Sequence, residues 1–136
     1  MMTGLLWLLA GFLLGSFPGH QCGESFCVPA DATFAARRTP VPDFNLYDVL
    51  RLHQHFVIYE GNFPQTGKTP RLTVKLPMNK PATLAIADER GSVIVQIQDR
   101  GWPEFLDING PCRSAEECPA LDLARAITLL SKPNSN

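Results

Sequence analysis

Apolar and polar positions alternate most clearly in the middle of the chain. Leu72, Val74 and Leu76 interleave with Arg71, Thr73 and Lys75, which predicts a half-buried strand with one wet side. Two β-branched runs, Leu84-Ala85-Ile86-Ala87 and Val93-Ile94-Val95-Gln96-Ile97, flank the turn residues Asp88-Glu89-Arg90-Gly91-Ser92. This arrangement predicts a hairpin over residues 83–99, with Asp88 opening a type I turn and Gly91 taking the positive φ of a bulged loop. The remaining segments are expected to pair with this hairpin, cover it or clip it.

Phe56-Val57-Ile58-Tyr59 reads as a strand. Leu50 and Leu52 before it share its parity with Phe56 and Ile58, which suits a strand pair turning near His53-Gln54. A short helix over residues 44–52, capped by Asp43 and presenting Phe44, Tyr47 and Leu50, is the competing reading. The strand pair is preferred. Residues 60–70 hold two glycines and two prolines and form a long connection of the kind that often carries function. Gly101-Trp102-Pro103 turns the chain into a further short strand, Glu104 to Ile108.

The period changes after Cys118. Pro119 suits the first position of a helix, and Ala120, Leu123, Ala124, Ile127 and Leu130 fall on one stripe, so a helix is predicted from Pro119 to Leu130. Asp122 near its start and Lys132 beyond its end suit the helix dipole. The fold class that follows is α+β: a small antiparallel sheet of four to six short strands with one C-terminal helix packed on it.

The first residues change the picture of where the protein works. Gly4 to Phe17 is an apolar run without a charge, shorter than the ~20 residues that span a bilayer and of the length of a secretory core region. No basic residue precedes it and no small-x-small cleavage site follows it. Residues 1–19 are therefore read as a signal peptide or an uncleaved anchor, outside the domain. Residues 20–42 read as a cysteine-containing loop, residues 43–131 as the β-rich domain with its helix, and residues 132–136 as a tail.

The four cysteines agree with export. An even count suits two disulfides in an oxidising compartment, and Cys22, Cys27, Cys112 and Cys118 are assigned to them. Three pairings are open to four cysteines. The local pairs are preferred, because joining Cys112 to Cys118 would fix the start of the helix to the end of the last strand. Zinc knuckles want tighter spacing, and no Cys-x-x-Cys pair exists for dithiol chemistry.

Net charge is −1, from 12 basic and 13 acidic residues, so no clustered cationic footprint for nucleic acid is present in the composition. Membrane contact is expected only through residues 4–17, where that segment stays uncleaved. Twelve prolines and ten glycines argue for short strands and structured turns rather than long helices.

Chemical signatures are sparse. Gly23-Glu24-Ser25-Phe26-Cys27 begins like a nucleophile elbow but ends in cysteine. His53 and His55 would share a face of a strand, with Glu60 near in sequence, which keeps open a small metal-dependent hydrolase. Asp99, Glu104 and Asp107 surround Trp102 as in a sugar-binding cleft. No catalytic residue, metal ligand or cofactor is assigned from these patterns.

What stands out instead is aromatic side chains among turn residues: Tyr59 and Phe63 in one connection, Trp102 in another. The expectation is an exported binding or accessory domain, periplasmic or secreted, whose contact surface includes Tyr59, Phe63 and Trp102 and whose partner is an unknown protein or envelope component. The alternatives are a membrane-tethered envelope subunit and the His53/His55 hydrolase.

Overall fold

The computed structural model describes residues 21–39, 43–97 and 101–130 of the chain. The apolar N-terminal run, Asp99 and the tail lie outside the described residues.

Among the described residues ten strands and one helix follow one another: β1 (Gln21–Cys22), β2 (Phe26–Val28), β3 (Ala32–Arg37), β4 (Phe44–Arg51), β5 (Gln54–Gly61), β6 (Leu72–Leu76), a 3-10 turn (Pro77–Asn79), β7 (Lys80–Ala87), β8 (Arg90–Gln96), β9 (Phe105–Pro111), α1 (Pro119–Ala126) and β10 (Thr128–Leu129). Seven strands form one antiparallel sheet in the order β3-β4-β5-β9-β8-β7-β6, and β1-β2-β10 form a second, smaller one. The antiparallel sheet and the C-terminal helix agree with the sequence reading. The strand number exceeds the expected four to six, because residues 20–42, read as loop, contribute two strands to the small sheet and β3 to an edge of the large one.

The large sheet is two three-stranded meanders, β3-β4-β5 and β6-β7-β8, joined by β9. Ile58 pairs with Ile108, and Ile108 with Val93, so β9 is bonded on both sides. Alternation along each strand then divides the sheet into two faces. Val49, Phe56, Ile58, Leu84, Val93, Val95, Leu106 and Ile108 point into the core, where α1 lays Ala120, Leu121, Leu123 and Ala124 on β8 and β9. The small sheet closes the other half of that face: Phe26 packs edge-on against Tyr47 and Phe34, with centroids 5.3 Å and 5.8 Å away. The opposite face, called here the outer face, carries Asp48, Tyr59, Ser92, Asp107 and Asn109.

The first tight hairpin turns one position earlier than the sequence suggested, and the second uses only the first two of the five residues, 88–92, read as its turn. Ala87 pairs with Arg90 and Arg51 with Gln54, leaving two-residue turns at Asp88-Glu89 and Leu52-His53. All four residues have positive φ, between 51° and 64°, as type I′ turns require. Gly91 lies inside β8 and is small for another reason: a Cβ there would sit 2.6 Å from Cys112 Cβ.

Leu50 and Leu52 are consequently exposed, and the core residues of β4 are Tyr47 and Val49. The helix ends at Ala126 rather than Leu130. Ile127 turns extended, at φ −75° and ψ 140°, and β10 pairs with β2.

The cysteines pair locally, Cys22 with Cys27 and Cys112 with Cys118. Cys22–Cys27 bridges directly opposed positions of β1 and β2. Cys112–Cys118 ties the end of β9 to the N-cap of α1, where Cys118 Sγ accepts from the Leu121 amide at 3.4 Å. Such pairs suit an oxidising, non-cytoplasmic setting. Among the described residues no helix is long and apolar enough to cross a membrane.

Candidate functional site

The connection from β5 to β6 determines where a ligand has room. β5 and β6 lie on opposite sides of β9, β8 and β7, so residues 62–71 cross the outer face of the sheet. Two clefts result, each lined jointly by the crossing segment and by outer-face side chains, with Thr66 and Arg71 common to both. The larger, of about 470 Å³, is lined by Gln65 and Thr69 above and by Tyr59, Ser92, Asp107 and Asn109 below, with Arg90 at the side. The second, of about 420 Å³, is more apolar, with Pro64, Ile94 and Phe105 in its walls.

Asp107 occupies the middle of β9, between Leu106 and Ile108, and is only 5 % exposed although it faces outward. Its Oδ1 accepts from Ser92 Oγ at 2.6 Å. Burial pushes its carboxyl above the usual carboxylate range, against the opposing effects of Ser92, Asn109 and the Arg71 charge.

Arg71 stands at the foot of the crossing segment. Its Nε donates to Thr83 Oγ1 at 2.7 Å, and its Nη2 to Ser92 O at 2.8 Å, Thr83 O at 3.2 Å and Ser92 Oγ at 3.3 Å. All of these partners are neutral. Burial lowers the guanidinium from its ordinary value, and the Asp107 charge opposes that shift. Arg71, Ser92 and Asp107 thus form one chain of hydrogen bonds in which the hydroxyl separates the cation from the carboxyl.

A second polar cluster lies on the core face. Glu60 is fully buried, and its carboxyl collects four donors: Oε2 accepts from the Ser25 amide at 2.8 Å and from Ser25 Oγ, and Oε1 from Tyr47 OH at 2.6 Å and Asn45 Nδ2 at 2.9 Å. Burial and the bond to Glu60 push the Tyr47 phenol far above its ordinary value. Ser25 sits in the β1–β2 loop and Glu60 at the end of β5, so this carboxyl pins the small sheet to the large one. A buried group with every lone pair occupied is a structural fastener, not a waiting reactant.

The residues singled out from sequence fall in different places. Tyr59 lines the larger cleft, stacks on Phe44 at 5.5 Å and accepts from the Phe63 amide at 2.8 Å. Phe63 is 81 % and Trp102 38 % exposed. Trp102 Nε1 donates to Asp43 O at 3.3 Å, and Asn62 Oδ1 accepts from the Glu104 amide at 3.0 Å, so the two aromatic turns meet at one end of the sheet. Asp107 projects into the cleft on mid-sheet, away from the turn with which sequence grouped it.

His53 lies in the Leu52-His53 turn, whereas His55 bonds Asp48 Oδ1 at 2.8 Å on the outer face. Asp48 also receives Arg37, and these two hydrogen bonds lower its carboxyl to about 2. The two imidazoles therefore do not share a strand face, and among the described residues no group of three metal-ligating side chains gathers.

Sequence reasoning missed Arg71, Ser92 and Asn109. Arg71 reads as the wet start of a strand, Ser92 as a turn residue and Asn109 as lying beyond the strand that ends at Ile108, and only the register brings Ser92 opposite Asn109 and next to Asp107. No family model, curated protein or solved structure matches the chain.

Proposed function

We propose that the chain is an exported, disulfide-stapled binding or accessory domain without catalytic activity, whose ligand lies on the outer face beside residues 62–71. The supporting observation is a cleft of about 470 Å³ whose polar side chains are already held by hydrogen bonds. Such preorganisation reduces the ordering cost of binding. Phe63 and Trp102, exposed at the end of the same sheet, extend the contact surface to a protein or envelope component. A non-catalytic reading is favoured because Ser92 is bonded to a carboxyl rather than to an imidazole base, which leaves its hydroxyl without activation. Two disulfides support a periplasmic or secreted location.

Retention of the purified chain on arrays of oligosaccharides and of extended peptides tests this. Phe63→Ala and Trp102→Ala are expected to lower retention several-fold, with the melting temperature unchanged for the exposed Phe63 and lowered by only a few degrees for Trp102, which also loses its bond to Asp43 O. Retention that is absent for the parent chain, or untouched by both substitutions, overturns the reading. A mature N-terminus near His20 in protein from the native host, read by mass spectrometry, checks export by cleavage.

A further inference from the structure

The larger cleft has an imbalance of charge that specifies its ligand. The protein as a whole is slightly negative, with a net charge of −1. The cleft nevertheless presents two guanidiniums, Arg71 and Arg90, and one carboxyl, Asp107. Arg71 is partly buried against neutral partners only, so its charge has lost water without gaining an ion pair. Asp107 is more deeply buried, and Ser92 Oγ stands between its carboxyl and Arg71, so one carboxyl faces two guanidiniums without a direct ion pair to Arg71. The cation is therefore under-compensated in the empty cleft, and an incoming anion recovers part of the cost already incurred.

Asp107 narrows the choice of anion. A phosphate dianion would meet a carboxyl on the cleft floor, whereas a carboxylate that carries a hydroxyl or ammonium on a neighbouring carbon satisfies both ends of the Arg71–Ser92–Asp107 chain. Tyr59, Leu46 and Ala85 supply an apolar wall for the carbon skeleton. About 470 Å³ accommodates a ligand the size of one sugar ring or a short peptide.

We infer that the outer-face cleft binds a small organic carboxylate bearing a neighbouring hydroxyl or ammonium group, with Arg71 and Arg90 facing the carboxylate and Asp107 the neighbouring group. This rests on the binding-domain reading and assigns its ligand class. Two sources share this chemistry, acidic sugars and amino acids or peptide ends.

Amide and arginine-Nε NMR titrations of the full folded chain with D-gluconate and L-alanine, each beside its uncharged-end counterpart, D-glucitol and L-alanine amide, test the inference. At least one acid is expected to shift Arg71, Ser92 and Asn109 saturably and at least ten-fold more tightly than its counterpart; which acid does so identifies the source. Arg90→Gln, at an exposed position, is expected to weaken that binding at least five-fold with the remaining spectrum unchanged. Equal or tighter binding of a counterpart at these residues overturns the carboxylate assignment and leaves the cleft a binding site. No saturable shift at the cleft from any of the four probes overturns the inference, while array retention and its dependence on Phe63 and Trp102 still decide the broader reading. Undiminished affinity in Arg90→Gln overturns the role of that residue.

Discussion

Ser92 Oγ donates to Asp107 Oδ1 at 2.6 Å across the β8–β9 ladder, which makes a serine hydroxyl the nearest partner of an outward-facing carboxyl that is 5 % exposed. Because burial raises the folded-state pKa of Asp107 above its unfolded value, the group binds its proton more tightly in the folded chain. Its contribution is most favourable below the unfolded pKa and is lost as pH rises through the folded one. Asp107→Asn removes this titration. In urea denaturation from pH 3 to pH 7 the stability of Asp107→Asn relative to the parent is expected to rise with pH, whatever Asp48 and the other carboxyls add to both, and parallel profiles would contradict it.

Glu60 is expected to be the costliest polar side chain to remove. Glu60→Leu leaves the Ser25 amide, the Ser25 hydroxyl and Tyr47 OH without their acceptor at a buried site, while Asn45 keeps its bond to Glu24 Oε2. Each orphaned donor costs about 1–3 kcal/mol, so a loss of roughly 3 kcal/mol or more should appear in equilibrium unfolding. The Ser25→Ala and Glu60→Leu effects should be strongly non-additive.

At the first tight hairpin, Leu52 and His53 hold φ of 51° and 64°, a region that side-chain-bearing residues other than Asn and Asp enter at a cost. The double substitution Leu52→Asn, His53→Gly supplies the residues that a type I′ turn favours. It is expected to raise stability by roughly 1 kcal/mol, read as a higher denaturation midpoint with unchanged slope.

Gly110 faces the Phe56 ring, and a Cβ at that position would stand 2.2 Å from Phe56 Cδ2. Gly110→Ala is expected to cost roughly 2 kcal/mol or more through overpacking. Adding Phe56→Leu should return part of the loss, because the smaller side chain frees the contested space. Failure of the pair to compensate would point to backbone strain instead.

The disulfides should open in order. Cys22 is exposed, whereas Cys112 and Cys118 are 0 % and 3 % exposed. Graded reductant followed by alkylation and peptide mapping is expected to label Cys22 and Cys27 first. Replacing Cys112 and Cys118 together with alanine should cost about 2 kcal/mol, the scale set by closing so short a loop, in addition to the lost helix cap.

Much of the sheet was legible, because β-branched runs separated by turn residues specify strands whatever their partners. The hairpin around residue 90, the strand at Phe56 and the alternating strand at Leu72 needed no tertiary information. Turn positions were not legible, since type I′ turns announce themselves through Asn-Gly or Asp-Gly and here use Leu52-His53 and Asp88-Glu89. The end of the helix was misplaced because Ile127 fits the apolar stripe. Pairing of Leu129 with Phe26, 103 positions apart by their numbers, pulls the chain out of helix.

The candidate site was legible through Tyr59, through the long connection over residues 60–70 and through Asp107, which the sequence grouped with Trp102 instead of with the cleft. Arg71 and Ser92 are ordinary polar residues until the register stacks them. The core role of Glu60 could not be read at all, because its donors come from two segments distant from it in the chain, the β1–β2 loop and β4.

The position of β9 also bears on how the chain acquires its shape. It is the last long strand to be synthesised yet the one that unites the two meanders, so until Phe105 to Pro111 arrives β5 and β8 each present a raw edge. A nascent or truncated chain ending before Phe105 carries two adhesive borders and no joint between its halves, and is the form most prone to clump.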